Sequence, residues 1–91
     1  MPYEWDDWAI QALAGIEPYE VVQILTARRR WPRRGTTPDG LSTLTIWGRT
    51  QGGRPLIVAV HHHSGLTWKI IGAREMTAGE VAEFRRWEDS R

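Results

Sequence analysis

The sequence has no cysteine among its 91 residues, which excludes disulfides, thiolate metal sites and thiol nucleophiles. No apolar run approaches the roughly 18 residues of a membrane span, so we expect a cytoplasmic protein with no membrane partner. The net charge is also small: twelve cations and eleven carboxylates give +1. The remaining balance, 41% hydrophobic and 25% charged, is typical of a folded protein, and the length predicts one domain over residues 1–91.

Lysine is almost missing, since Lys69 is the only one and the other cations are arginines. Tryptophan, by contrast, occurs six times. Both Trp and Arg are favoured at interfaces, and the planar guanidinium suits phosphate because it binds two oxygens at once. The alternative explanation is compositional: a small core needs large side chains, and a GC-rich genome tends to encode Arg rather than Lys.

The small net charge conceals an uneven distribution along the chain. Residues 1–25 carry −5, residues 26–54 carry +6, and residues 55–91 carry 0. Five arginines lie within seven positions of the central segment: Arg28, Arg29, Arg30, Arg33 and Arg34. Such a block is typical of a surface that contacts nucleic-acid phosphates or an acidic protein, although many charge runs are only solvated faces.

Local signals predict two short helices near the N-terminus. Acidic residues in a first turn complement the helix dipole, so Trp5–Ile10 indicates a helix start, and Gly15 ends that helix. Pro18 suits the first turn of a second helix. The apolar stripe of that helix is Val21, Val22, Ile24 and Leu25. The following stretch, Arg28–Arg34, contains Pro32 and is therefore predicted to be an edge strand or an extended arm.

Two tight turns divide the centre of the chain into three strands. Gly52-Gly53 and Ser64-Gly65 are typical of two-residue hairpin turns. The strands that they separate are Leu41–Thr50, Pro55–His63 and Leu66–Arg74.

A capping box begins the last helix, with Thr77 as the cap and Glu80 reaching back to it. Val81, Phe84 and Trp87 follow at helical spacing, and this stripe is expected to pack on the sheet. The fold class predicted from these elements is α+β. It comprises two N-terminal helices, an antiparallel sheet of three to four strands, and a C-terminal helix packed on the sheet.

Two-residue turns would fix the register of the sheet and so assign side chains to its faces. In this register Trp47 lies opposite Val58, Arg49 opposite Leu56, and His62 opposite Thr67. One face is then apolar and is expected to lie against the helices: Leu44, Ile46, Ile57, Ala59, Trp68 and Ile70. The other face is amphipathic: Thr43, Thr45, Trp47, Arg49, His62, Thr67 and Lys69, with Val58, Val60 and Ile71.

This amphipathic face has the groups that a metal-free ribonuclease needs. Attack by the RNA 2′-hydroxyl requires a base, an acid and cations that hold the phosphorane charge. His62 is the candidate acid or base, and Arg49 and Lys69 are candidates for holding the phosphate. Trp47 offers a surface on which a base could stack. The same residues also fit a phosphate-binding surface without turnover, or a protein interface.

The run His61-His62-His63 suggests a metal site as an alternative. His61 and His63 point to the same side of a strand and could both ligate zinc, but a catalytic zinc needs about three protein ligands. No further His or carboxylate falls close to them in the predicted register, so we expect neither a metal nor a cofactor. The sequence also lacks a glycine-rich phosphate loop and a Gly-x-Ser-x-Gly elbow.

Short motifs in a particular order run along nearly the whole chain. They are Tyr3-Glu4-Trp5-Asp6, Gly15-Ile16, the basic stretch, Ile46-Trp47-Gly48-Arg49, and Lys69-Ile70-Ile71-Gly72-Ala73-Arg74 leading into Met76-Thr77 and a helix with Glu80 and Phe84. This order resembles the BrnT family, toxins of type II toxin–antitoxin systems whose fold is similar to that of RelE-like ribonucleases. The Ile-Ile-Gly-Ala-Arg segment before the Thr-capped helix is the most specific part.

The resemblance implies a RelE-like toxin domain that acts as a metal-independent ribonuclease, cleaves RNA and inhibits translation. It also implies a cognate BrnA-like antitoxin, typically a DNA-binding protein, and a possible higher-order toxin–antitoxin complex. From their positions in these motifs, the resemblance implies that Arg49 and Arg74 contact phosphate or RNA. Leu13 and Ala14 stand where the family commonly has Lys-His, so the imidazole has to come from His62, or the activity is weak.

The predicted site therefore has a catalytic part and an RNA-binding part. The catalytic candidates are His62, Arg49 and Arg74. The RNA-binding candidates are Lys69, Trp47, Arg28, Arg30 and Arg33. The alternative is a non-catalytic module of the same fold that binds nucleic acid or protein.

Overall fold

The computed structural model describes residues 3–36, 40, 42–65 and 67–90, apart from the side chains of His63 and Ser64. The elements in chain order are β1 (Tyr3–Trp5), α1 (Ala9–Ala12), α2 (Pro18–Thr26), β2 (Trp31–Thr36), β3 (Ser42–Arg49), β4 (Pro55–Ser64), β5 (Thr67–Glu75) and α3 (Ala78–Asp89). None of the described helices is long and apolar enough to cross a membrane.

The five strands form one mixed sheet in the order β1-β5-β4-β3-β2. β1 runs parallel to β5, and the other neighbours are antiparallel. The predicted α+β class and C-terminal helix are confirmed, as is the basic stretch as an edge strand, β2. The predicted antiparallel sheet of three to four strands is wrong, because the N-terminus adds a fifth, parallel strand.

That additional strand occupies a segment for which the sequence predicts a helix start. Tyr3 and Trp5 alternate with the exposed Glu4 and pack against the core, and the Asp6 amide donates to the Ile70 carbonyl at 3.1 Å. Helix α1 is consequently a single turn that leaves Ile10 46% exposed. The two-residue period of the aromatics decides the structure here, since burying both on a sheet outweighs the weaker helix-dipole signal.

Helix α2 supplies the larger core, on the sheet face that we call the α2 face. Pro18 stands in its first turn, and Glu17 and Glu20 form a capping box. Val22, predicted in its apolar stripe, is instead 48% exposed. The core consists of Ile16, Val21, Ile24 and Leu25 packed on Ile46, Leu56, Val58, Val60 and Ile70.

Helix α3 lies on the opposite face of the sheet, which we call the α3 face. The predicted capping box is confirmed: the Thr77 amide donates to Glu80 at 2.8 Å, and the Glu80 amide donates to Thr77 Oγ1 at 3.2 Å. Phe84 is fully buried. It belongs to a second core with Trp47, Ile57 and Met76, flanked by Trp31, Val81 and Trp87. The amphipathic face is therefore partly covered by a helix.

The register of the central hairpin differs from the prediction by one residue. Trp47 pairs with Ile57, not Val58. The turn is the cause: the Thr50 amide donates to the Arg54 carbonyl at 2.9 Å, which closes a loop of three residues rather than two. Gly53 takes the left-handed conformation, with φ of 90°, that ends such a loop.

This slip exchanges the two faces of β4, because side chains alternate along a strand. Val58 and Val60 lie in the α2 core, while Ile57 lies on the α3 face with Trp47. The second hairpin is shifted as well: His62 pairs with Trp68 and His61 with Lys69. Irregularities in the β4–β5 pairing contribute to that shift.

The loop geometry predicts a difference between two neighbouring glycines. Gly53→Ala is expected to lower the free energy of unfolding by about 1–2 kcal/mol, because a residue with a Cβ is strained at positive φ. Gly52 has no positive φ, and its nearest neighbouring atom would be 3.7 Å from a new Cβ, so Gly52→Ala should cost less than about 0.5 kcal/mol. Urea unfolding of both variants measures this, and equal losses would contradict the three-residue loop.

Candidate nucleic-acid interface

Three arginines from three different strands lie on the α3 face: Arg33 of β2, Arg49 of β3 and Arg74 of β5. The register places them there: Arg33 pairs with Thr45, and Arg74 pairs with Ile57, which belongs to the core under α3. Each of the three forms an ion pair with a different glutamate of α3. The pairs are Arg33–Glu83 at 2.8 Å, Arg49–Glu88 at 3.1 Å and Arg74–Glu80 at 2.6 Å. Helix α3 thus neutralises the cations of the face that it covers.

The Arg74–Glu80 pair is the best defined of the three. Both Nη atoms of Arg74 donate to Glu80, at 2.6 and 2.7 Å, and the Thr77 amide donates to the same carboxylate. The hydrogen bonds from Arg74, more than those from Thr77, lower the pKa of Glu80 to about 2. In return, the hydrogen bond to Glu80 raises the pKa of Arg74. The pair is therefore fully ionised at neutral pH.

Trp47 is a core residue rather than the stacking platform that the sequence predicts. It is only 7% exposed and makes a T-shaped contact with Trp31, with ring centroids 5.5 Å apart and planes at 65°. The guanidinium of Arg33 lies 4.5 Å from the Trp31 ring and 4.9 Å from the Trp47 ring, an arrangement that supports cation–π attraction. Trp31 is in turn stacked on Trp87 of α3, with ring planes 8° apart.

Beside α3, the α3 face carries an open groove of about 450 Å³, lined by Trp47, Ile57 and Arg74 among others. A second depression, of about 640 Å³, opens on the α2 face, where Leu44, His62 and Trp68 line it. Both volumes lie within the range of roughly 300–1,000 Å³ typical of ligand sites. Arg34, Gly35, Thr36 and Thr43 line both. A Cβ on Gly35 would lie 3.2 Å from Thr43 Oγ1, so glycine keeps this part of the groove open.

An imidazole and a lysine lie near the groove on the same face. Arg74 lines the groove, as does Ala59, and His61 is two residues beyond Ala59 along β4. His61 pairs with Lys69 across β4 and β5, which places both side chains on the α3 face as direct neighbours. Lys69 Nζ is 3.4 Å from a carboxylate oxygen of Glu4 on β1. Nδ1 of His61 is buried and has no hydrogen-bond partner among the described residues.

The predicted catalytic residues are not brought together. His62 falls on the α2 side of β4, edge-on to Trp68 at 5.1 Å, with its Nε2 2.7 Å from the Gly65 carbonyl oxygen. Arg49 is engaged with Glu88 beneath α3. Only Arg74 of the predicted catalytic group lines the groove on the α3 face. The one-residue slip of the hairpin explains the separation of His62 from both arginines.

The predicted RNA-binding residues are also dispersed. Arg28 and Arg30 are exposed just before edge strand β2, where Arg30 donates to the Ala27 carbonyl at 2.7 Å. Arg33 is held by Glu83 and by the tryptophans, and Lys69 lies beside His61, outside the groove. The basic stretch thus has two exposed arginines, Arg28 and Arg30, and a third, Arg33, that is held beneath α3.

Comparison with protein-family models and with curated proteins finds no match to this chain. Within the part of the chain that the structure describes, no three His, Asp or Glu side chains lie close enough together to hold a metal ion.

Sequence reasoning missed two features of this face. The first is His61, the histidine of the run that shares a face with Lys69. The second is the set of glutamates on α3. A signal for them exists, because Glu80, Glu83 and Glu88 accompany the apolar stripe of a helix predicted to pack on a sheet that carries arginines.

Proposed function

We propose that the protein is a cytoplasmic type II toxin of the BrnT kind, with a RelE-like fold, which cleaves RNA without a metal ion and thereby inhibits translation. A cognate DNA-binding antitoxin neutralises it, within a toxin–antitoxin complex that can assemble to higher order. The observation that carries the proposal is the neighbouring pair of His61 and Lys69 on the α3 face of β4 and β5.

His61 takes the role that the sequence assigns to His62. An imidazole exchanges protons near neutral pH, so it can remove the proton of the RNA 2′-hydroxyl. A bond then forms between the 2′-oxygen and phosphorus, and the bond to the 5′-oxygen breaks. The products are a 2′,3′-cyclic phosphate and a 5′-hydroxyl, whose proton comes from an acid or from water. Lys69 stabilises the negative charge that grows on the phosphorane oxygens.

The separation of His61 from Arg74 along the sheet indicates that they contact different phosphates. His61 is four residues from Ile57, the partner of Arg74, which is roughly 13 Å along a strand at ~3.3 Å per residue. Arg74 therefore holds a neighbouring phosphate rather than the one that reacts. Thr43 also lines the groove, where its hydroxyl can bond to ribose or base edges.

Induced expression of the wild-type chain is expected to arrest growth, and co-expression of a DNA-binding protein encoded beside it should restore growth. Purified protein should cleave RNA in the presence of EDTA. Lys69→Gln should abolish the arrest, because it removes a cation next to His61. Arg86→Gln, the same charge change at an exposed position of α3, should leave the arrest intact.

Two results would contradict this proposal in different ways. Unaffected growth together with intact RNA would refute the toxin and the ribonuclease together. Binding of RNA without cleavage would favour the alternative, a non-catalytic module of this fold.

A further inference from the structure

Helix α3 meets the sheet with the same kinds of groups that a single-stranded nucleic acid would present. Its three glutamates offer carboxylates to arginines, and the guanidinium fork binds carboxylate and phosphate with the same geometry. Trp87 of α3 stacks on Trp31, with ring centroids 5.5 Å apart and planes 8° apart, as a base stacks on an aromatic side chain. Negative charge and a stacked ring thus occur together on one helix.

We propose that the sheet face beneath α3 is a binding surface for single-stranded RNA, and that α3 occupies this surface in place of the RNA. The inference takes RNA as the ligand from the proposed function. The covered surface continues the groove, since Arg74 and Trp47 border both. When α3 is docked, only the groove is accessible to RNA. When α3 leaves, Arg33, Arg49 and Arg74 also become accessible and contact further phosphates of the RNA.

The construction of the two cores allows α3 to leave. Its core of Trp47, Ile57, Met76 and Phe84 is separated by the sheet from the larger core under α2. Undocking of α3 therefore leaves the larger core intact, which is the requirement for local rather than global opening. The Arg33–Glu83 and Arg74–Glu80 pairs are partly exposed, with Arg74 57% accessible, so each is weak enough for a polyanion to displace.

The basic stretch holds the far end of α3. Arg29 donates to the Glu88 carbonyl at 2.5 Å and lies 5.5 Å from the Trp87 ring. Phosphates that bind the exposed Arg28 and Arg30 beside it would compete for the same guanidinium. Binding of RNA at the basic stretch thus favours release of the last turn of α3.

The test removes the charge of the three glutamates while keeping their size. The E80Q/E83Q/E88Q variant retains the capping box, since glutamine serves at that position. It is expected to bind a labelled oligouridine of about 20 nucleotides at least about ten-fold more tightly than wild type, with a steeper loss between about 50 and 200 mM salt. The matched control D7N/E17Q/D89N makes the same charge change at exposed positions and should gain much less.

Hydrogen exchange gives an independent readout on the wild-type protein. Adding the oligouridine should increase amide exchange in α3 and leave α2 unchanged. Equal affinities of the two triple variants, or greater protection of α3 with RNA, would overturn the inference. A wild-type protein that cleaves RNA while both variants bind alike keeps the proposed function and loses this inference. If the protein does not cleave RNA, but the E80Q/E83Q/E88Q variant alone binds RNA tightly, the inference is kept and the proposed function is refuted.

Discussion

Phe84→Ala is expected to lower the free energy of unfolding by about 3–5 kcal/mol, because a fully buried phenylalanine is lost from a small core. A domain of this length has a total stability of roughly 5–14 kcal/mol at ~0.05–0.15 kcal/mol per residue. The variant should therefore stay folded only at low denaturant concentration. Urea unfolding followed by circular dichroism measures the loss.

The same variant should bind single-stranded RNA more tightly, even though it is less stable. Removing the Phe84 side chain raises the fraction of molecules in which α3 is undocked. The apparent affinity for RNA rises with this fraction, because only undocked molecules expose the whole surface. Ile24→Ala is the control, since Ile24 is fully buried in the core under α2 and its loss costs a similar ~2–5 kcal/mol. If both variants bind RNA as wild type does, α3 does not cover an RNA surface.

Elements with a complete local signal could be predicted from the sequence. Pro18 places the start of α2, and the Thr77–Glu80 capping box places the start of α3, because each satisfies the free amides of a first helical turn within a few residues. Pro32 marks an edge strand for a similarly local reason, since it cannot donate to a neighbouring strand. Strand β1 could not be predicted so, because three residues become a strand only where β5 pairs with them.

The candidate site was harder to predict than the fold because it depends on register. A Gly-Gly pair permits both a two-residue and a three-residue loop, and the difference of one residue decides whether His61 or His62 shares a face with Trp47 and Arg49. The pairing of Arg33, Arg49 and Arg74 with α3 depends in turn on which face the helix covers. That choice is made by packing of Phe84 and Trp87, which no local pattern specifies.

His61→Ala is expected to slow RNA cleavage by about 10²–10⁴-fold, the usual contribution of a positioned acid or base. His61→Gln should be nearly as slow, because an amide keeps a polar side chain at this position and cannot transfer the proton. His62→Ala removes the same ring from the opposite face and should change the rate by no more than about two-fold, an effect typical of an exposed residue outside the site. Single-turnover cleavage of a labelled oligoribonucleotide measures all three. A much lower cleavage rate in His62→Ala, with a normal rate in His61→Ala, would support the register predicted from two-residue turns. It would refute the site described on the α3 face.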